Sequence, residues 1–417
     1  MTMAVYKQDK VLNVPTLRFQ KFSGEWHRTT IGQCCSPLEY GMNAPAKEYD
    51  GKNKYIRITD IDEETCTYKY DDVVSPNALL EDKYKVLDND ILFARTGAST
   101  GKAYLYDKKD GLMYYAGFLI RGNVKPDFNS KFVFLQTQTQ KYKKWVDVMS
   151  IRSGQPGINS QEYSSFKFNL PPTKAEQDKI SSLFTLLDER ITTQSRIIAQ
   201  LQSLITGLNN YLMDNPSWGN VRVGDFMDFY STNSLSWEQL DYKQGEVKNL
   251  HYGLIHSGLP TLIDCGLCSL PNIKDDFLPK QYTRCEDGDI AFADASEDTN
   301  EVGKAVEIYD CREQSVVCGL HTIHGRDKAN ATIVGFKGFA FNAKYFHDQL
   351  RRISQGSKIY SISTDNVKSC YLRIPSKFEQ KRVVRLLSAY LQKIDIAEQE
   401  LKAYQVQKQY LLKAMFV

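Results

Sequence analysis

The chain has 417 residues, 42% of them hydrophobic and 25% charged, a composition typical of a globular protein with two or three domains. Lysine plus arginine exceeds aspartate plus glutamate by only 53 − 50 = 3, so net charge alone does not indicate a nucleic-acid partner. No apolar run approaches the roughly 18 residues of a membrane span, and the N-terminus lacks a signal-peptide pattern. Nine cysteines in such a chain are typical of reduced thiols, so we expect a cytoplasmic protein without membrane contact.

Two globular segments follow an aperiodic leader at residues 1–15. The first segment spans residues 16–172 and the second residues 215–375, and each opens on a tryptophan, Trp26 or Trp218, with a glycine six residues later. Both contain turn residues followed by a short apolar run, KVLDNDILFA in the first and RCEDGDIAFA in the second, which predicts a turn into a buried strand. Short strands separated by Gly, Asn and Asp predict two strand-rich mixed α/β domains.

A long helix is predicted after each segment, at residues 173–214 and 376–417. The stretch that begins at Glu176 recurs at Glu379, an offset of 379 − 176 = 203 residues. In both copies apolar residues recur every 3.5 positions over about five heptads, which favours a coiled-coil seam over an ordinary core-facing helix. The predicted seam residues are Ile180, Phe184, Leu187, Ile191, Ile198, Leu201, Ile205, Leu208, Val383, Leu387, Tyr390, Ile394, Leu401, Tyr404 and Leu411, with Gln194 and Lys408 as polar interruptions.

These patterns predict an α+β fold with an internal pseudo-twofold repeat. Two strand-rich domains are joined by two long antiparallel helices whose seams pack on each other. For either helix alone, a long amphipathic helix without such a partner is the alternative.

The sequence resembles the specificity subunit of type I restriction-modification enzymes over nearly all of the chain beyond residue 15. The resemblance rests on the doubled layout and on four stretches: Leu17-Arg18-Phe19 leading to Trp26, the strand and loop from Asp90 to Gly97, the following Gly101-Lys102, and the Pro-x-x-x-Glu-Gln pattern that opens each long helix. It implies that each globular segment is a target recognition domain that reads one half of a split target in double-stranded DNA. The paired helices would set the spacing and dock two methylation subunits.

The resemblance also implies partners that carry the chemistry. The methylation subunits would bind S-adenosylmethionine, and restriction subunits of the full complex would use ATP and Mg²⁺. The chain itself is predicted to be non-catalytic and to bind no cofactor. The alternatives are a DNA-independent coiled-coil scaffold that pairs two binding domains and a self-contained DNA methyltransferase.

The first candidate DNA-binding stretch is the loop after the strand that ends at Ala94. It combines hydroxyls, glycines and cations, which suits phosphate contact through backbone N–H groups and side chains; a tight turn with solvated polar residues is the alternative. The matching loop from Asp294 to Lys304 is acidic, so only its lysine is carried over. The candidates are Arg95, Thr96, Ser99, Thr100, Lys102 and Lys304.

The second candidate stretch is a set of cations beside a Gly/Ser/Gln/Asn loop, present in both halves. Amide side chains can pair bidentately with adenine, whereas a solvated helix face is the alternative for the lysines. The candidates are Lys143, Lys144, Arg152, Gln155 and Asn159 in the first half, and Arg351, Arg352, Ser357, Lys358 and Tyr360 in the second. Base-reading residues could equally lie in the dissimilar stretches 36–82 and 228–281.

Three other motifs do not support a site. The spacing from Gly97 to Lys102 is one residue short of a P-loop. Asn-Pro-Ser-Trp at Asn215 resembles a methyltransferase tetrapeptide but follows a helix and has no cofactor loop. Cys265-x-x-Cys268 has zinc-knuckle spacing without a second regularly spaced pair, so we predict buried thiols and no metal site.

Overall fold

The computed structural model describes residues 3–5, 13–243, 245–311, 313–356 and 358–417. The chain forms two compact units. The first consists of Met1–Gln194 and Glu400–Val417, and the second of Ser195–Gln399. Because each unit takes in part of both long helices, neither helix belongs to one unit alone.

The first unit is built from short strands and helices that precede the central long helix. Its strands are β1 (Met3–Val5), β2 (Leu17–Phe19), β3 (His27–Thr30), β4 (Glu39–Tyr40), β5 (Ala46–Glu48), β6 (Lys54–Ile56), β7 (Val74–Pro76), β8 (Asp90–Ala94), β9 (Ala103–Leu105), β10 (Met113–Tyr115), β11 (Leu119–Asn123) and β12 (Lys167–Leu170). Its helices are α1 (Ile31–Cys34), α2 (Ser130–Gln136), α3 (Gln140–Met149), α4 (Ser160–Ser165) and the first part of α5 (Lys174–Met213).

A four-stranded antiparallel sheet in the order β4-β11-β8-β9 lies at the centre of the first unit. All five residues of β8 are buried, as expected for an apolar run in a central strand. Strands β3 and β12 pair antiparallel and join the two ends of the domain. Of the predicted leader, residues 1–2 and 6–12 lie outside the described part of the chain, and β1 pairs with β2.

The second unit is likewise built from short strands and helices. Its strands are β13 (Gly219–Arg222), β14 (Met227–Tyr230), β15 (Leu240–Asp241), β16 (Val247–Leu250), β17 (Leu262–Asp264), β18 (Asn272–Ile273), β19 (Ile290–Ala293), β20 (Ala295–Ser296), β21 (Ala305–Tyr309), β22 (Ser315–Cys318), β23 (Thr322–Asp327), β24 (Tyr360–Ser361) and β25 (Tyr371–Ile374). Its helices are α6 (Val223–Phe226), α7 (Tyr252–His256), α8 (Phe336–Phe341), α9 (Lys344–Ile353), α10 (Thr364–Ser369) and most of α11 (Lys377–Met415).

Strand β19 of the second unit is the counterpart of β8. It lies inside a five-stranded sheet of order β14-β23-β19-β21-β17, and all four of its residues are buried. A buried aspartate stands at the start of each strand: Asp90 is the first residue of β8, and Asp289 directly precedes β19. Each carboxylate accepts a hydrogen bond from the backbone N–H three residues earlier, at 2.6 and 2.8 Å. The turn-into-strand prediction is therefore matched by the same local geometry in both units.

Helices α5 and α11 contain 40 and 39 residues, and the predicted α+β class and the two long helices are confirmed. In the first unit the start of α5 shares a core with the end of α11, where Phe184 packs at 5.8 Å from Phe416. Ten residues further along α5, Gln194 Nε2 donates to Glu400 Oε2 at 3.0 Å. Since the contacts move backwards along α11 as they advance along α5, the two segments run antiparallel in this unit.

The predicted seam residues are all buried or half-buried. In the second unit Ile205 and Leu208 of α5 share a core with Val383 and Leu387 of α11. Positions beside the seam, such as Leu204, are exposed.

Lys408, the polar interruption in the second seam, lies beside an acidic residue of the facing helix. Its Nζ is 2.8 Å from Oδ1 of Asp188, and Lys131 Nζ of α2 is 2.6 Å from Oδ2 of the same carboxylate. Partial burial raises the pKa of the Asp188 carboxyl. The two ammonium groups lower that pKa by a larger amount, so it lies below its usual range. The lysine is tolerated at the seam because its charge is paired there.

Asp188→Asn is expected to lower the thermal stability of the first unit by about 1–2 kcal/mol at neutral pH, because Lys408 loses its counter-charge. The pKa of Asp188 is lower in the folded protein than its unfolded value of about 4, so the ionised carboxylate stabilises the folded state above that pH. This stabilisation is lost as the pH falls through the folded-state pKa. The difference between variant and wild type should therefore narrow in melting curves recorded below about pH 4. Glu189→Gln, on the exposed face of the same turn, is the control and should change the melting temperature little.

Candidate nucleic-acid interface

The two candidate stretches of the first half meet at the end of β8. Ile158 N–H donates to Arg95 O at 2.9 Å, and Gly97 N–H donates to Pro156 O at 3.0 Å. Thr96 Oγ1 lies 3.5 Å from Gln155 Oε1. We call residues 95–102 and 152–159 together the first loop pair, since they form one continuous surface.

The glycines of this loop serve packing inside the protein. Gly101 has φ = +91°, and a Cβ there would lie 2.5 Å from Val146 Cγ1 of α3, so only glycine fits. Its carbonyl accepts from Tyr142 Oη at 3.0 Å, and its N–H donates to Tyr163 Oη at 3.1 Å. The N–H groups of Gly97, Thr100 and Lys102 also donate to protein carbonyls. The backbone donors expected for phosphate are thus largely occupied by protein carbonyls, which leaves the side chains of the loop as the groups available to a ligand.

Two predicted DNA-binding residues of the first loop pair, Arg152 and Asn159, hold neighbouring segments together. Arg152 makes two 2.7 Å hydrogen bonds to Glu162 and donates to the carbonyls of Met149 and Ile151. Asn159 caps α4 by accepting from Glu162 N–H at 2.9 Å. Both residues therefore hold the first loop pair in place, whereas Gln155 is exposed.

The remaining predicted cations of the first half differ in their partners and exposure. The Arg95 guanidinium stacks over the Tyr40 ring at 4.7 Å. Lys102 pairs with Glu63 at 3.1 Å, and Lys143 and Lys144 are exposed on α3. Ser99 and Thr100 are half-buried, and Thr100 Oγ1 donates to Gly97 O at 2.7 Å.

A groove of about 690 Å³ opens beside Arg95. Its wall includes Tyr40, Arg57 and Phe118, and the Phe118 side chain, in the turn between β10 and β11, is 60% exposed. Exposed aromatic rings next to guanidinium groups suit stacking and wedge contacts with nucleic acid. Sequence reasoning did not single out these three residues. Tyr40 and Arg57 fall in the dissimilar stretch 36–82, and the sequence signal available for Phe118 was an aromatic residue directly after Gly117.

Tyr40 joins the groove to the loop pair. Ser160 N–H donates to its hydroxyl at 3.2 Å, and Arg95 covers its ring. Partial burial raises the pKa of Tyr40, but the hydrogen bond from Ser160 and the charge of Arg95 lower it by more, and the net shift is downward.

The second unit has an equivalent loop pair, residues 294–304 and 354–362. Ile362 N–H donates to Asp294 O at 2.9 Å, as Ile158 does to Arg95. A Cβ at Gly303, which has φ = +79°, would lie 2.4 Å from Leu350 of α9, as one at Gly101 would from Val146. The backbone frame is shared, but an aspartate occupies the position of Arg95.

The predicted residues of the second half border this acidic loop. Lys304 pairs with Glu301 at 2.9 Å, and Arg351 pairs with Asp348 at 3.0 Å. Tyr360 in β24 lies opposite Ser296 of β20. Arg352 and Lys358 are exposed, and Ser357 lies outside the described residues.

A histidine and aromatic cluster flanks the second loop pair and was missed by sequence reasoning. Tyr252 contacts His251, His256 and His321 with ring centroids 4.8, 5.9 and 5.1 Å apart, and Trp237 lies 4.5 Å from His251. His321 Nδ1 is 3.1 Å from Asp294 Oδ1. Burial raises the pKa of Asp294, and the opposing effect of His321 does not cancel it. The two loop pairs thus expose different chemistry on the same frame.

Cys265, the first cysteine of the zinc-knuckle spacing, lies beside Cys311. Cys265 Sγ lies 3.2 Å from Cys311 Sγ, and Cys268 is only half-buried.

Among the described helices, none combines the length and apolarity needed to cross a bilayer.

The fold and the loop pairs define a class of protein in which two strand-rich units expose different surfaces and share two long helices. Comparison with known proteins identifies the class further. Residues 40–203 match the family described as "Type I restriction modification DNA specificity domain".

Solved structures extend the likeness of the fold to the whole chain. The type I restriction-modification S subunit from M. genitalium aligns over 97% of this chain and 99% of its own, with 15% identity and a TM-score of 0.58. A chain from a study of complex assembly and conformational transition of the type I R-M system aligns over 94% and 96%, with 14% identity and a TM-score of 0.58.

Proposed function

We propose that this chain is the sequence-specific DNA-binding specificity subunit of a type I restriction-modification complex. Residues 16–172 and 215–375 are its two target recognition domains, each reading one half of an asymmetric bipartite target. The long helices set the spacing between the halves and dock two methylation subunits. The chain is non-catalytic.

The observation that carries this proposal is the family match at residues 40–203. The matched segment contains Arg95, the groove with Tyr40 and Phe118, and the first loop pair, so the family's DNA specificity domain coincides with the surface best suited to nucleic acid. The shared backbone frame in the second unit supports an internal repeat. Asp294 and His321 of the second unit occupy the positions that Arg95 and Phe118 occupy in the first, since each pair shares the same backbone hydrogen bond. These different side chains support two different half-sites.

The contacts of the long helices support the spacer role. In the first unit α5 and α11 pair antiparallel through Asp188–Lys408 and Gln194–Glu400, and in the second they share a core. Outside these contacts the helices expose large apolar side chains, which suit the docking of another protein. They are Leu186, Ile197, Leu204, Tyr211, Leu386, Ile396, Val406 and Tyr410, between 40% and 80% exposed.

The partners supply the reaction in this proposal. S-adenosylmethionine is bound by the methylation subunits, and ATP and Mg²⁺ by restriction subunits of the full complex. This chain contributes the choice of site and the positions of its partners.

The test is to co-express the chain with its cognate methylation subunit and to map methylated adenines across host DNA. We expect one split motif with a fixed nonspecific gap. When residues 16–172 are replaced by the corresponding domain of another specificity subunit, one half of the motif should change while the other half and the gap stay the same.

The reciprocal replacement of residues 215–375 is the matched control and should change only the opposite half. Methylation that ignores both replacements would contradict the division of labour. A stable complex that neither methylates DNA nor shows salt-sensitive binding to a duplex would favour the DNA-independent scaffold.

A further inference from the structure

Three potential metal ligands converge inside the second unit. The ligand atoms of Cys285, Cys318 and His324 all lie within 4.8 Å of one another, and all three residues are buried. They come from three rigid positions: the turn before β19, the end of β22 and the middle of β23. Cys285 N–H donates to Val316 O at 2.8 Å, which fixes the turn against β22.

The sulfur atoms have a spacing that suits shared coordination. Cys285 Sγ and Cys318 Sγ are 3.7 Å apart. Two thiolates bound at about 2.3 Å to one tetrahedral zinc ion lie roughly 3.8 Å apart, whereas a disulfide requires about 2.0 Å. The observed distance therefore matches two ligands of one ion without rearrangement.

The histidine is oriented as a metal ligand would be. Its Nε2 lies 2.7 Å from Asp289 Oδ2, and Asp289 is itself held by Arg326 at 2.8 and 2.7 Å. His324 Nδ1 is buried and has no hydrogen-bond partner within the described part of the chain. A buried nitrogen without a partner costs free energy, and a ring whose other nitrogen binds a carboxylate is the usual arrangement of a metal-bound histidine.

We propose that Cys285 Sγ, Cys318 Sγ and His324 Nδ1 bind one transition-metal ion, with zinc as the ion that this set favours. Thiolates and imidazole select such ions over Mg²⁺ or Ca²⁺, which prefer oxygen ligands. Binding releases the two thiol protons to solvent, leaves the ion with two thiolates and one neutral imidazole, and keeps a fourth position for a water molecule.

The ion would tie β22 and β23 to the turn before β19. The aligned positions of the first unit are Val86 for Cys285 and Arg121 for His324, which cannot form such a site. The site is therefore specific to the second unit, and it is independent of the proposed DNA-binding function.

The experiment is to titrate the full-length chain, reduced and stripped of metal, with Co²⁺ and then to displace Co²⁺ with Zn²⁺. We expect saturation at one equivalent with a thiolate-to-cobalt charge-transfer absorption. Cys318→Ser and His324→Gln should each weaken binding at least tenfold. Cys370→Ser, which alters a buried thiol of the same unit outside the cluster, should bind as the wild type does.

The titration of the wild-type chain decides the proposal even when a variant fails to fold. Absence of charge-transfer absorption at several equivalents of Co²⁺ would overturn it. A Cys285–Cys318 disulfide in protein purified without reductant would also overturn it, as would binding that survives Cys318→Ser and is lost in Cys265→Ser.

Discussion

Replacing Glu176 by alanine is expected to destabilise the first unit by about 3–5 kcal/mol, because it leaves the charge of Arg18 buried without a counter-charge. The two residues form a fork in which Nε and one terminal nitrogen of Arg18 each lie 2.8 Å from a different carboxylate oxygen. Their side chains are 3% and 1% exposed. Arg18 also donates to the carbonyls of Ser23 and Gly24. The pair thus fastens β2 and the following turn to the start of α5.

Hydrogen exchange at β3 and β12, measured by mass spectrometry, would follow the unfolding of the first unit separately from that of the second. A single melting curve cannot do so, because a chain with two units need not unfold in one two-state transition. We expect faster exchange at both strands in Glu176→Ala. Exchange in β13 and β25, the corresponding strands of the second unit, serves as the internal reference.

The chain offers a matched control at the equivalent position of the second helix. Glu379 makes an ion pair with Arg382 at 2.9 Å that is largely exposed to solvent, so Glu379→Ala should change stability by no more than about 0.5 kcal/mol. The double variant Arg18→Met/Glu176→Leu should recover most of the loss, because no buried charge is left. Equal damage from Glu379→Ala, or no recovery in the double variant, would show that the pair does not act through its buried charges.

Arg95→Ala is expected to weaken duplex DNA binding by the assembled complex at least tenfold and to reduce the salt-dependence slope by about one. The guanidinium lies on the groove wall beside Tyr40 and Phe118, and aromatic stacking rather than a carboxylate holds it there. Its positive charge is therefore available to DNA. Binding measured across a salt series checks both quantities, and methylated-adenine mapping should show the loss at one half-site.

Arg152→Ala is the control, since Arg152 is equally cationic and lies in the same loop pair. Its two hydrogen bonds to Glu162 neutralise its charge within the protein, so the salt slope should change less than in Arg95→Ala. Similar slopes for both variants would contradict the assignment of Arg95 as the DNA-contacting cation of this surface.

The difference between the two loop pairs has a physical basis in their common frame. The hydrogen bonds at Ile158 and Ile362 and the glycines at 101 and 303 fix the backbone, so the residue at the end of the central strand can change without altering the fold. An arginine at that place favours an anionic partner, whereas Asp294 disfavours close phosphate contact. We therefore expect the second unit to approach DNA through other residues, with the cluster around Tyr252 as the first candidate.

The sequence by itself determined the features that depend on neighbours along the chain. Heptad spacing predicted α5 and α11 and the side of each helix that is buried, because helical periodicity follows from the backbone alone. Turn residues before an apolar run predicted β8 and β19. Comparison of the two halves also revealed a correspondence that reappears as equivalent hydrogen bonds.

Only the tertiary structure decided what depends on residues far apart in the chain. It gave Arg152 and Asn159 partners in α4, paired Lys408 with Asp188, and assembled a groove from residues near 40, 57, 95 and 118. It also brought Cys285 and Cys318 together with His324, which share no regular spacing in the sequence. Side-chain availability depends on burial and on competing hydrogen bonds, and these are fixed only when distant segments pack together.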